Sequence, residues 1–200
     1  MYRKDNKKEF YTTKAQEEGF VARSIYKLKE IDKKYEIFHK GDRVIDFGAT
    51  PGSWMQYISE KVGSRGLVWG IDITDLKAEV GTNMKFEKLD ILTLGAEHFG
   101  EEKFNVVVSD MAPLTSGIHS RDTGISYELS SKALEIATGV LIPGGHFVTK
   151  IFEGEYTRDF QQQAKQYFSL VKPYRPEAVK RDSREEYIVC KNFNPNGVTK

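Results

Sequence analysis

RVIDFGATPGSWMQYISEKV, residues 43–62, reads as a short apolar run, a turn of small residues and a helix, in that order. Val44, Ile45 and Phe47 put apolar side chains on both faces of the run, as a strand covered on both sides requires. The run closes with Asp46-Phe47-Gly48 and opens onto Gly48-Ala49-Thr50-Pro51-Gly52, where small residues let the backbone approach a ligand closely. A helix around Trp54–Val62 follows. Strand, glycine turn and helix form the opening unit of a parallel α/β sheet with right-handed crossovers.

The same alternation continues in both directions. LVWGIDI (67–73), KFEKLD (85–90), NVVVSD (105–110), HFVTKIF (146–152), a short piece near Leu170–Val171 and EEYIVCKNF (185–193) read as strands. A helix around Tyr127–Leu141 turns Leu129, Ala133, Ile136 and Val140 inward. Another, Thr157–Phe168, buries Phe160, Ala164 and Tyr167, with Thr157 as its N-cap. Upstream, Ile25, Leu28, Ile31 and Tyr35 recur at helical spacing within Ala22–Tyr35, and Arg23, Lys27, Glu30 and Lys34 share a neighbouring side. Met111 to about Ser126 carries no pattern and reads as one long loop, a length that in a compact domain accompanies function. These segments divide the chain into a basic N-terminal extension (1–21), one domain (22–193) and a flexible tail (194–200).

A chain of 200 residues, 39% apolar and 30% charged, can bury a full core and is neither fibrous nor disordered. It shows no membrane-length apolar run and no charged-then-apolar leader, so a cytoplasmic protein without membrane contact is expected. A single cysteine, Cys190, excludes an intramolecular disulfide, and His39, His98, His119 and His146 stand in no metal-ligand spacing, so no metal is expected. The net charge of +1 is segregated: 11 Lys/Arg against 7 Asp/Glu in residues 1–40 (+4), 12 against 18 in 41–171 (−6), and 7 against 4 in 172–200 (+3). Basic ends around an acidic middle suit ends that meet a polyanion. Lysine-rich termini that only keep the protein soluble are the bland alternative.

Run after run ends on a polar residue: Asp46, Asp72, Asp90 and Asp110, with Lys150 in the fifth strand. Ligands of open α/β sheets bind at these carboxyl ends. An aspartate at a strand end is by itself ordinary turn chemistry. The glycine turn is G-x-x-x-G, neither the dinucleotide fingerprint nor a P-loop, which speaks against a nicotinamide oxidoreductase. Pro51 also removes one N–H from any phosphate cradle. Asp72, twenty residues past Gly52, stands where an acid takes both ribose hydroxyls, and Asp90 could accept from an adenine amino group. An acidic crevice with a poor phosphate cradle suits an adenosyl group carrying a positive centre, S-adenosylmethionine. Lys150, flanked by FVT and IF, would be costly to bury unpaired. Read alone, Lys27 fits a solvated helix face and Trp54 fits the core.

ARSIYKLKEID (22–32), VIDFGATPGSWMQY (44–57), SDMAPLTSG (109–117), PGGHFVTKIFEGE (143–155) and SREEYIV (183–189) together resemble the FtsJ/RrmJ type of ribose 2′-O-methyltransferases. The resemblance runs from about residue 20 to 193. It implies a Rossmann-like S-adenosylmethionine-dependent methyltransferase fold: a seven-stranded, mostly parallel sheet with the last strand antiparallel and helices on both faces. It also implies a catalytic tetrad of Lys27, Asp110, Lys150 and Glu185. Cofactor contacts fall at Gly52, Trp54, Asp72, Asp90 and Asp110, with Gly48 and Pro51 in the same turn. The activity implied is methylation of a ribose in RNA, a uridine of large-subunit ribosomal RNA. A transfer-RNA anticodon-loop ribose is the alternative substrate, and a non-catalytic RNA-binding module the alternative role. Lys150 would serve as general base, needing a neutral amine that burial and a second cation, Lys27, favour; a milder version keeps it protonated and steering the hydroxyl. Asp110 would hold Lys150, and Glu185 would position Lys27 or the ribose. Arg3, Lys4, Lys7, Lys8, Arg23, Lys33 and Lys34, with Lys180, Arg181 and Arg184, would meet RNA phosphates, and no obligate protein partner is expected. Thr50 and Ser53 stand where relatives often carry Ala and Gly, which implies a slightly altered methionine pocket.

Overall fold

A computed structural model describes residues 4–180 and 182–198, with side chains from residue 9 onward. The 43–62 stretch forms β1 (Arg43–Phe47) and α3 (Ser53–Val62), preceded by α1 (Lys4–Glu17) and α2 (Ile25–Tyr35). There follow β2 (Leu67–Asp72), β3 (Met84–Lys88), β4 (Phe104–Ser109), α4 (His119–Val140), β5 (Leu141–Phe152), α5 (Thr157–Ala164), β6 (Phe168–Tyr174) and β7 (Glu185–Phe193). The seven strands lie in the order β3-β2-β1-β4-β5-β7-β6. β1 to β5 pair in parallel, and β7 inserts antiparallel between β5 and β6. The chain steps outward from β1 through β2 to β3, then returns to β4 on the other side of β1. That reversal opens a crevice beyond the carboxyl ends of β1 and β4.

The doubly covered strands have the composition their position demands. Val44, Val68, Val106 and Val148 face one apolar layer with Ile25, Leu28 and Ile31 of α2 and Trp54, Met55 and Ile58 of α3. Ile45, Phe47, Val107 and Phe147 face the other, with Ala133, Ile136 and Ala137 of α4 and Phe160 of α5. Each buried Val, Leu, Ile, Met or Phe among them contributes about 1.5–3 kcal/mol relative to exposure. α2 is stopped by its own Asp32, whose Oδ1 accepts from the N–H groups of Ile37 and Phe38 while Oδ2 accepts from the Tyr57 hydroxyl at 2.6 Å. α2 is thereby fixed against α3. Among the described residues no helix is long and apolar enough to cross a membrane.

The expected and observed elements differ where polar atoms do the packing. α4 starts at His119, not near Tyr127, so the long loop shrinks to residues 110–118. As far as Ser130 the residues it buries are Asp122, Thr123, Ser126 and Ser130, which gives no apolar period. Ser130 Oγ donates to the Lys150 carbonyl, the Phe152 N–H donates to Ser126 Oγ, and Asp122 Oδ1 accepts from Ser116 N and Oγ. β6 is seven residues long because its pairing with β7 compensates an exposed pattern, and α5 ends at Ala164. Thr157 is the first helical residue, not the cap; its Oγ1 accepts from the Gly154 N–H at 3.0 Å. α1 docks through buried Ala15 and a Tyr11–Tyr26 ring contact. Past β7, Asn194 and Val198 donate to the carbonyls of Tyr167 and Gln166, so the segment expected as a flexible tail is pinned through residue 198.

Candidate active site

β5 carries Lys150 and β7 carries Tyr187 directly opposite it. Two residues further, Glu185 stands across from Phe152, so Glu185 and Tyr187 share one face of β7. Asp110 follows β4, its N–H donating to the Phe47 carbonyl at 3.1 Å. The amine of Lys150, 6% exposed, donates to the Asp110 backbone carbonyl and lies 3.0 Å from Asp110 Oδ1. From α2, Lys27 donates to Glu185 Oε2 in a second ion pair. Two amines and two carboxylates from four distant stretches of chain therefore gather at one point.

Their charges are mutually dependent. Burial alone would raise the Asp110 carboxyl, but Lys150, Lys27 and the Tyr187 hydroxyl together hold it below the usual carboxylate range. Burial likewise works to lower Lys27, and the carboxylates of Asp110 and Glu185 outweigh it and raise the ammonium above the ordinary lysine value. Sequence reasoning missed Tyr187. Its hydroxyl donates to Asp110 Oδ1 at 2.6 Å, and its ring lies under the Lys27 ammonium and 6.0 Å from that of Trp54. Burial, then Asp110 and Glu185, push its phenol far up, so it stays a donor. The period-two spacing from Glu185 was the available signal. Glu186 is turned to the opposite face, where burial and Glu153 raise its carboxyl.

The crevice beside this cluster is floored by the glycine turn. Gly48 has φ +73°, and a Cβ there would lie 2.8 Å from Met111 Cγ and 2.9 Å from its backbone N. Gly52 has φ +114°, and a Cβ would collide with that of Ala78. Pro51 braces the far wall, its carbonyl accepting from the N–H groups of Lys77 and Ala78. Asp72 Oδ2 accepts from Thr50 N at 2.9 Å and Oδ1 from Thr74, tying the turn to the end of β2. Asp90 is exposed and sits two residues beyond β3, its Oδ1 accepting from Leu92 N. Ile73 and Leu92, beside these two acids, are 64% and 46% exposed. Trp54 is buried, its Nε1 donating to the Ser24 carbonyl at 3.1 Å. The Ser53 hydroxyl pairs with Ser24 Oγ, 2.9 Å away, so this departure from the family pattern bonds to the start of α2.

Asp46 stands apart: wholly buried, with neither carboxylate oxygen hydrogen-bonded. Burial, then Asp110 and Asp72, push its carboxyl well above the usual range. A crevice edged by two acids and exposed apolar side chains, with an unpartnered acid buried behind it, fits a ligand that is part flat and apolar, part cationic. Gly52→Ala should weaken binding of such a ligand at least tenfold, because the turn must open to admit a methyl group, and should destabilise the fold by about 1–3 kcal/mol; calorimetric titration and melting measure the two.

Of the basic residues expected on the rim, Arg23 is half-buried and Lys33, Lys34, Lys180 and Arg184 are exposed. Arg3 and Arg181, and the side chains of Lys4, Lys7 and Lys8, lie outside the described residues.

A sheet of this order, reversing at β1 and with an antiparallel β7 inserted before its edge strand β6, with acids and a lysine at its strand ends, is that of a Rossmann-like methyltransferase. A crystallised ribosomal RNA methyltransferase from Plasmodium falciparum superposes with a TM-score of 0.77 at 27% identity, over 87% of this chain and 98% of that one. The FtsJ-like methyltransferase family model matches residues 20–193, and the chain belongs to that family. Ribosomal RNA large subunit methyltransferase E of Desulfatibacillum aliphaticivorans is 42% identical over 91% of this chain and 89% of its own length. Its namesake in Nitratidesulfovibrio vulgaris is 40% identical over 93% of each.

Proposed function

We propose that this methyltransferase places the methyl group of S-adenosylmethionine on the 2′-oxygen of a ribose in large-subunit ribosomal RNA, a uridine, with residues 22–193 as the catalytic domain. The observation that carries the reading is the pairing of Lys150 with Asp110 and of Lys27 with Glu185 beside an acidic crevice. The names of the relatives supply the substrate class.

Asp72 would hold the cofactor's ribose and Asp90 its adenine amino group, with Ile73 and Leu92 covering the ring. Gly48, Pro51 and Gly52 would let the backbone close on the methionine part, with Trp54 behind it, and Asp46 would face its ammonium. When bound, the cofactor supplies an electrophilic methyl on a sulfonium. The chain must then seat the 2′-hydroxyl and take its proton. Lys150 Nζ directs two of its positions to Asp110, and the third is left for the hydroxyl. With a lone pair there the amine would accept the 2′-OH proton as the ribose oxygen takes the methyl group and the sulfonium leaves as a neutral thioether. Lys27, held by Glu185, supplies a fixed cation for the neighbouring phosphate or the ribose oxygens.

The test is incubation of the protein with labelled S-adenosylmethionine and, separately, large ribosomal subunits, free ribosomal RNA and transfer RNA, followed by mapping of the modified ribose. Label in one large-subunit ribose is expected. Label in transfer RNA would move the substrate, and binding of RNA without transfer would leave a non-catalytic module.

A further inference from the structure

Between β6 and β7 the chain runs from Arg175 to Arg184 without helix or strand among the described residues, which exclude 181. This segment delivers Glu185 to Lys27 and carries Lys180 and Arg184, both exposed, the latter beside Glu185 in sequence. A connection of this kind would ordinarily be loose. Here it is held from two sides. Glu30, one turn beyond Lys27 on α2, accepts at both oxygens: from the Glu177 N–H at 2.6 Å and the Ala178 N–H at 3.0 Å. Ala178 and Val179 are buried in the same apolar layer as α2. At the other end, the Arg175 guanidinium donates to the carbonyls of Lys180 (3.2 Å), Ser183 and Glu185 (3.5 Å). The Arg184 carbonyl accepts from the Glu153 N–H, which ties the same turn to the end of β5. A planar fork bridging several carbonyls is something arginine can do and lysine cannot.

We propose that Arg175 and Glu30 are positioning residues of the substrate rim: they hold residues 175–180 and 182–185 in one shape, so that Glu185 meets Lys27 and the cations of Lys180 and Arg184 form a preformed seat for an RNA backbone phosphate. The proposal rests on the RNA reading above and adds to it a mechanism of preorganisation, in which ordering is done before the substrate arrives. Neither residue contacts the reacting atoms. Each acts through the backbone it grips.

The two residues separate positioning from plain electrostatics. RNA is a polyanion, so removing the charge of Glu30 should tighten binding if only charge matters. Glu30→Gln leaves a single acceptor for two N–H groups, so positioning requires weaker binding. RNA affinity, measured by titration over a salt series, is expected to fall about tenfold, the order of one or two lost charge-assisted hydrogen bonds. The slope of log affinity against log salt should flatten by about 0.7–0.9 for each phosphate that no longer meets a cation. Arg175→Met and Arg175→Lys should both do the same, while S-adenosylmethionine affinity stays at the wild-type value and reports an intact crevice. Tighter or unchanged RNA binding by Glu30→Gln overturns the proposal. So does wild-type binding by Arg175→Lys, which would make Arg175 a direct phosphate contact. Should the Arg175 variants not fold, Glu30→Gln decides alone. Failure of the RNA reading looks different: the wild-type protein would then show no salt-dependent RNA binding at all, and the proposal would fall with it.

Discussion

Lys150→Met should reduce the rate of methyl transfer by about 10²–10⁴-fold, the range in which a positioned acid–base group contributes. Methionine keeps the length and apolar stem of the lysine and removes only the amine. Affinity for S-adenosylmethionine should change little, because the glycine turn and Asp72 do not touch Lys150 and Asp110 keeps its hydrogen bond from Tyr187. Single-turnover rates with labelled cofactor measure the first quantity and calorimetry the second. Removing the ammonium also strands the Asp110 carboxylate, although Tyr187 still donates to it and Lys27 still neutralises it in part. Some loss of thermal stability accompanies the loss of rate for that reason. Lys150→Arg separates the two roles the geometry allows. Arginine can keep the hydrogen bonds to Asp110 but cannot give up its proton. A substantially active Lys150→Arg enzyme would mean that the side chain steers the hydroxyl; an inactive one, with a wild-type rate that climbs with pH, fits the amine as proton acceptor.

The parts of this site that were legible are those where chemistry coincides with a strand end. Asp72, Asp110 and Lys150 terminate or interrupt apolar runs, and a charged residue in such a place stands out against Val and Ile. Asp90 was readable by the same rule, though it stands beyond the strand, starting a 3₁₀ turn. Lys27 was not legible from pattern at all. A lysine on a half-buried helix is ordinary, and only its contact with Glu185, 158 residues away, distinguishes it. Tyr187 was hidden because an aromatic in a central strand reads as core; its ring is core, and only the hydroxyl reaches the site. The start of α4 was invisible for a related reason. Ser126 and Ser130 pack by hydrogen-bonding the β5 backbone, so the buried face there has no hydrophobic period to detect. Arg175 and Glu30 act on backbone groups, and nothing in a sequence marks which carbonyl or N–H a side chain will find.

Asp46→Asn is expected to make the protein more stable and less able to bind its cofactor. Both carboxylate oxygens of Asp46 are buried without a partner, between Gly70 of β2 and Val108 of β4. An ionised carboxyl in that position lacks both solvent and counter-ion, and Asp110 and Asp72 repel it further. Its folded pKa is raised, so its contribution to stability is complete below the unfolded value of about 3.9 and is lost as pH rises towards the folded value. The asparagine variant carries no such dependence. Its advantage over the wild type should therefore grow as pH rises from about 4 and be plain at neutrality. An unpartnered amide has its own cost of about 1–3 kcal/mol, so the net gain should be modest, a few degrees in Tm. The same change removes the unpartnered buried acid that lies near Asp72 and Asp110. If that acid faces the ammonium of S-adenosylmethionine, affinity should fall by about 1.5–3 kcal/mol, the worth of a charge-assisted hydrogen bond. Melting curves across pH and calorimetric titration of both proteins measure the two halves. A variant that melts lower than the wild type at every pH would show that the carboxyl is stabilised by something in the fold. One that binds the cofactor normally would mean that Asp46 plays no part in holding it. The opposed signs separate the two effects: melting reads what the unpartnered carboxyl costs the empty fold, and titration reads what it is worth to a bound cation.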